Sequence, residues 1–320
     1  MSTNEPATPS RRDFLYSAGV TTAAAVWLGP HRLFAQDEGA EIVNLMRAGA
    51  ATANIEVQSL RGNVSVLMGS GGNVAVLPGP DGKLLVDAGI TGSRAAITKA
   101  LAAISADPIK QLINTHWHFD HTDGNEWLHA EGATILAHEN TRKHLSTATR
   151  VEGWDHTFPA APPGALPTDV FTTDRTLRMN GADLVLAHYE PAHTDSDISV
   201  HFTDTDVIHV GDTWWNGVYP FIDYSTGGSI DGTIRAVEHN LAKVSASTVI
   251  IPGHGPVGNR SQLVECRDML VTIRDTVAAL KKQGRTINDV LAAKPSAAYD
   301  AKWGNLIVPN LFVRSVYQGV

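Results

Sequence analysis

A single cysteine, Cys266, among 320 residues excludes an intrachain disulfide and leaves any metal site to nitrogen and oxygen ligands. Basic residues are also in short supply. There are 25 Lys and Arg against 33 Asp and Glu, a net charge of −8. With no basic cluster beyond the N-terminal region, the chain lacks the phosphate-backbone surface that a nucleic-acid partner requires. No apolar run reaches the roughly 18 residues needed to span a bilayer, so no membrane span is expected in the mature chain. What the sequence does have is core: 43% hydrophobic residues over 320 positions suffice for one large domain.

The most informative stretch is Thr115-His116-Trp117-His118-Phe119-Asp120-His121. It packs three imidazoles and a carboxylate, the usual nitrogen and oxygen ligands of zinc and related divalent ions, into one short run. In extended backbone, successive side chains point to opposite faces. His116 and His118 can therefore converge on one metal while the chain turns to aim Asp120 and His121 at a second. Further ligands must return from elsewhere, and three candidates each follow an apolar, β-branched segment and a turn signal: His193, Asp212 and His254. A plausible distribution places His116, His118 and His193 on one ion and Asp120, His121 and His254 on the other, with Asp212 bridging. His209 and His239 are assigned no role.

This set, His-x-His-x-Asp-His with a later His, a later Asp and a final Gly-His, resembles the metallo-β-lactamase superfamily, over roughly residues 63 to 255. The resemblance implies an α/β fold, a four-layer αββα sandwich with the metals at one edge of the paired sheets. It does not imply a substrate. Two Zn2+ ions per chain are expected, with Fe or Mn as the other metals that suit an all-His/carboxylate set.

The N-terminus reads differently. Ser10-Arg11-Arg12-Asp13-Phe14-Leu15, the apolar stretch from Ala18 to Gly29 and the small-residue end at Ala35 resemble a twin-arginine export signal. Residues 1–35 are therefore read as a signal handed to the twin-arginine export machinery, residues 36–320 as one catalytic domain with C-terminal helices, and the location as periplasmic or otherwise exported. Cys266 lies inside a helical pattern and is read as core or helix surface, not as a ligand.

Periodicity supplies the coarse organisation. Val64–Leu67, Asn73–Leu77 and Lys83–Asp87 read as short strands of a meander, Ser93–Ser105 as an amphipathic helix, Gln111–Asn114 as the strand that delivers the histidine cluster, and Ala133–Leu136 as another strand. The second half repeats the scheme with strands near Leu184, Ile198–Phe202, Val207 and Val249 and helices at Gly232–Val244, Ser261–Gln283 and Ile287–Ala293. Residues 146–176, irregular and rich in Pro and Gly, read as a flap over the site. Trp154 within it, and Trp214 and Trp215 directly after Asp212, are expected to line the substrate pocket. Asp87, at a strand end, is a candidate partner for a ligand imidazole, and Asp195 and Asp197 are weaker ones.

Two divalent ions sharing a water lower its pKa toward neutrality, so the expected chemistry is hydrolysis. A metal-bridging hydroxide would attack a carbonyl while Asp120 orients it. Asp212 stands where the thiolate-containing lactamases carry cysteine. The lysine that grips a drug carboxylate three residues later is Trp215 here. That resembles the glyoxalase II, lactonase and other hydrolase branches. The expected activity is thus hydrolysis of a small-molecule cyclic amide or ester, of the β-lactam or lactone type. The alternatives are a thioesterase like glyoxalase II and an iron-dependent redox enzyme on the same fold.

Overall fold

The computed structural model describes residues 39–320, so the export signal expected over residues 1–35 lies outside the described residues. Helix α1, Gly39–Ala51, leads into a seven-stranded sheet. Strands β1 (Glu56–Ser59), β2 (Ser65–Met68), β3 (Val74–Leu77) and β4 (Lys83–Val86) form its antiparallel part. Helix α2 (Arg94–Ile104) crosses to β5 (Ile109–Ile113), parallel to β4. The short helices α3 (Phe119–Thr122) and α4 (Asn125–Ala130) precede β6 (Thr134–His138), and α5 (Glu139–Leu145) follows it.

Strands β7 (Thr149–Val151) and β8 (His156–Phe158) form a separate hairpin, and β9 (Asp169–Phe171) completes the first sheet beside β6. The second sheet has five strands: β10 (Arg175–Met179), β11 (Ala182–His188), β12 (Ile198–Phe202), β13 (Val207–His209) and β14 (Val249–Ile251). Helix α6 (Ile230–Lys243) joins the last two, which run parallel. Helices α7 (Arg260–Lys282), α8 (Ile287–Ala293), α9 (Asp300–Trp303) and α10 (Pro309–Gly319) end the chain.

The period-two alternation of the strands sorts these elements into layers. Val66, Leu84, Val86 and Ile113 face Leu184, Leu186, Val200 and Phe202 of the other sheet and form the dry seam between them. Leu67, Val76, Leu85 and Leu112, one residue out of phase, pack against Ile97, Leu101 and Leu128 of the helices outside the first sheet. Ile208 and Ile250 pack outward against Ile234, Val237, Leu270 and Ile273. The result is the four-layer αββα sandwich.

Helix α7 starts because Asn259 and Gln262 close a capping box. Its buried stripe of Leu263, Cys266, Met269, Leu270, Ile273 and Val277 follows helical spacing, which accounts for Cys266 as a packing residue. Truncating Leu270 to Ala would cost about 2–5 kcal/mol. Among the described residues no helix is long and apolar enough to cross a membrane.

Three differences from expectation have physical causes. Strand β1 is exposed along its whole length, so it carries no apolar signal. Helix α10 lies beyond the last segment with a clear pattern and is held by Phe312, Val313 and Val316 against the outer core. The segment 146–176, expected to be irregular, contains the β7–β8 hairpin and the edge strand β9. Val151, Trp154 and Phe158 are buried there with Trp117 and Phe119, an apolar anchor that the Pro- and Gly-rich composition of the segment hides.

Candidate metal centre

Strands from both sheets end at one edge. Past β5 come His116 and His118, past β13 Asp212, past β14 His254, while the loop between β11 and β12 carries His193. Carboxyl ends of parallel strands are the usual place for a site in α/β folds. The edge is held tightly in register. Asn114 and Asn125 exchange side-chain hydrogen bonds of 3.0 and 2.9 Å. Glycine is obligatory at two approaches: a Cβ on Gly72 would lie 2.0 Å from the His121 ring, and one on Gly253 would lie 1.8 Å from Asp212 Oδ1.

The seven side chains fall into two buried groups, His116, His118, His193 and Asp212, and Asp120, His121 and His254, with the ligand atoms of each within 4.8 Å of one another. Asp212 faces both. Its Oδ2 lies 3.8 Å from His116 Nε2, 3.4 Å from His193 Nε2 and 3.4 Å from His254 Nε2, and its Oδ1 lies 3.2 Å from His121 Nε2. Asp120 Oδ2 is 3.2 Å from His254 Nε2 and 3.7 Å from His121 Nε2.

Hydrogen bonds outside the cluster decide which ring nitrogens carry protons. His193 Nδ1 donates to the carbonyl of Phe221 at 2.8 Å, His118 Nε2 donates to Asp223 Oδ2 at 3.1 Å, and His121 Nδ1 donates to Asp87 Oδ2 at 2.8 Å. A carbonyl and a carboxylate can only accept, so His193 and His118, when neutral, each turn a bare lone pair inward, whereas burial would lower His121 but Asp212, Asp120 and Asp87 hold it well above its ordinary value. His193 Nε2 and His118 Nδ1 then confront each other at 2.9 Å, and His116 Nε2 is buried without any hydrogen-bond partner.

A proton does not relieve the first group. Burial, reinforced by His118, holds His193 at about 4, and burial and His121 hold His116 well below its ordinary value. In the second group, burial would lower His254, but Asp212 and Asp120 raise it to about 9. Converging lone pairs, an orphan nitrogen and carboxylates that attract positive charge are a donor set that fits divalent cations.

Against that geometry stands one comparison that decides the family: residues 67–264 match the metallo-beta-lactamase superfamily model. The chain belongs to the metallo-β-lactamase superfamily. Its two His/Asp clusters are groups that could hold metal ions.

Among curated relatives, a hydroxyacylglutathione hydrolase from Polaromonas sp. strain JS666 is 27% identical over 173 residues, 53% of this chain. One from Cereibacter sphaeroides is 26% identical over 199 residues, 58% of this chain. The chain spans 58% and 68% of their respective lengths. Among solved structures, a stereoselective inverting sec-alkylsulfatase from Pseudomonas sp. superimposes with TM-score 0.62 at 16% identity, over 86% of this chain and 52% of that one. A metallo-beta-lactamase from Pontibacter korlensis does so with TM-score 0.55 at 18% identity, over 68% of this chain and 99% of that one.

Around the superfamily's site the other candidates separate. Asp87 has a left-handed backbone, φ 69°, and besides His121 it accepts from the Thr115 amide at 2.7 Å and the Thr115 hydroxyl at 2.8 Å. Asp197 braces backbone, not an imidazole, accepting from the amides of His193 and Thr194. Asp195 pairs with His144 instead, at 2.7 Å. The Trp154 ring lies 4.8 Å from that of His118, and the Trp215 ring 4.2 Å from that of His254. Trp214 does not line the pocket. It is fully buried in the core shared with α6, α7 and the C-terminal helices; Trp215, 7% exposed, belongs to the same core and also lays its ring against His254.

Sequence reasoning missed Asp223. Burial alone would raise its carboxyl, but hydrogen bonds from His118, Ser225 and Thr226 hold it at about 2. The run Asp223-Tyr-Ser-Thr-Gly signals a turn, yet nothing linear reveals that it meets a histidine 105 positions away.

Proposed function

We propose that this chain is an exported two-metal hydrolase that cleaves a small ester or cyclic amide, with zinc as the metal. The observation that carries this reading is the pair of buried ligand groups meeting at Asp212. His116, His118 and His193 would hold one ion and Asp120, His121 and His254 the other, with Asp212 reaching both. Divalent ions bound there supply Lewis acidity and bring the pKa of water toward neutrality.

The chain's own residues do the rest. Asp87, Asp223 and the Phe221 carbonyl fix the tautomer and orientation of three imidazoles. Asp120 has the one carboxylate in the second group, where burial would raise it but His121 and His254 keep it below its ordinary value. It stays ionised and can take or orient the proton of attacking water. Trp154 and Trp215 cover the histidines and limit water, which strengthens every charge interaction inside.

The position of Trp215, without a cationic side chain to grip a carboxylate, favours a lactone or other ester over a β-lactam. A thioester substrate is the second reading, supported by the names of the two curated relatives. Turnover of a cephalosporin, a lactone and a thioester by protein starting at Gln36, with metals quantified in the same sample, tests both. Cleavage of none with two metals per chain refutes the hydrolase reading, and iron instead of zinc would favour redox chemistry. Periplasmic delivery through the twin-arginine machinery is the matching proposal for residues 1–35. Loss of export on replacing Arg11 and Arg12 by Lys supports it, and unchanged export refutes it.

A further inference from the structure

We propose that the cavity between the β7–β8 hairpin and helix α10 receives an apolar acyl group of the substrate, so that the loop at 220–225 and the last helix set chain-length preference. This rests on the hydrolase reading above. The cavity has a volume of about 240 Å³ and is walled chiefly by Phe221, Ile222 and Tyr224 of the loop and Leu311 and Phe312 of α10, with Gly153 of the hairpin turn and the charged Glu152 and Arg314 also lining it. Its size is below the roughly 300–1,000 Å³ of pockets that hold a whole drug-sized ligand, so it suits one substituent.

Its place points to a substrate. Phe221 is partly exposed and stacks on Trp154 at 4.9 Å, with its ring 6.0 Å from that of His118 and 6.1 Å from that of His193. One aromatic side chain therefore separates the cavity from the first ligand group. Gly153 makes this possible, since a Cβ there would meet the Phe221 ring at 2.6 Å. The walls are braced: Tyr224 donates to the Ser315 carbonyl at 2.9 Å, and the Glu152 amide donates to Ser225 Oγ at 3.1 Å. A preformed cavity whose walls are mostly but not wholly apolar spares the ordering cost of binding. The same loop supplies the Phe221 carbonyl to His193 and Asp223 to His118, so an occupant would touch the segment that orients two imidazoles.

Each methylene buried should raise kcat/KM about fourfold until the cavity is full. The test is a ladder of p-nitrophenyl esters from acetate to octanoate with metal-loaded wild type, Ser315→Phe to fill the cavity and Leu311→Ala to enlarge it. Wild type should climb and then plateau, Ser315→Phe should flatten the ladder while keeping acetate turnover, and Leu311→Ala should move the plateau to longer chains. Hexanoate binding to metal-free protein, followed by tryptophan fluorescence, gives a readout independent of turnover and should be lost in Ser315→Phe. A flat ladder in wild type, or a full ladder in a folded Ser315→Phe protein, overturns the proposal. If no ester, lactone or thioester is cleaved, the hydrolase reading fails instead, and hexanoate binding alone then decides the cavity.

Discussion

Replacing Asp223 by Asn alters one atom and one charge at a position where every partner is a donor. Oδ2 accepts from His118 Nε2 at 3.1 Å and Thr226 Oγ1 at 2.6 Å, and Oδ1 accepts from the Ser225 amide at 3.0 Å and from its hydroxyl. A carboxamide brings a donor of its own, so in either orientation its NH2 faces another donor. Either His118 loses the acceptor that fixes its tautomer, or the Ser225 turn that presents the acceptor is disrupted.

Loss of such a partner weakens metal binding about 10- to 100-fold, equivalent to about 1.4–2.8 kcal/mol. Leaving a buried donor unsatisfied destabilises the fold by about 1–3 kcal/mol. The loss should fall on the group of His116, His118 and His193, leaving the ion at Asp120, His121 and His254 in place. Dialysis against graded chelator with metal quantification should therefore give an Asp223→Asn protein that releases one ion early and one at the wild-type concentration. Asp87→Asn, acting through His121, should weaken the other ion. Equal retention of both ions by Asp223→Asn and wild type would refute the tautomer argument.

Asp120→Asn should lower hydrolysis by at least about a hundredfold in metal-replete protein, as expected for a general acid–base group; turnover within a few-fold of wild type would remove Asp120 from the mechanism. Gly253→Ala must displace Asp212, so its metal content should drop even in excess zinc, and normal loading would show that the edge can give way. Cys266 is 1% exposed and burial pushes its thiol well above the ordinary range, so a thiol reagent should label no site in native protein and one in denaturant.

His209 is buried with its Nε2 on the Asn73 carbonyl at 2.9 Å, and burial holds it below its ordinary value. The unfolded ring takes up a proton below about pH 6.5 while the folded one does not. Its stabilising contribution is thus present above that pH and is lost as pH falls. Urea unfolding at about pH 7.5 and about pH 5.5 should show His209→Gln less stable at the higher pH, with a smaller drop to the lower; equal drops would refute the assignment.

Much of this molecule was legible in one dimension. Near-continuous apolar runs such as Val74–Leu77 and Leu84-Leu85-Val86 marked the strands, because a sheet buried on both faces must be filled on both. The spacing of His116, His118, Asp120 and His121 marked a metal site because few other needs bring that chemistry into six positions. Asp87 was readable as a strand-end carboxylate. Local composition misled at residues 146–176, where Val151, Trp154 and Phe158 find a buried surface supplied by distant Trp117 and Phe119.

What the sequence by itself determined was the ligand chemistry, the alternation of elements and the place of Cys266 on a helix, all of which are encoded by neighbours. Only the tertiary structure decided which lone pairs face the centre, since that depends on Asp223, Phe221 and Asp87 meeting rings 105, 28 and 34 positions away. It also decided that Trp214 and Trp215 both enter the outer core and that the Trp215 ring meets His254 as well, because the helices that bury them come from later in the chain and no linear pattern near residue 214 reveals them.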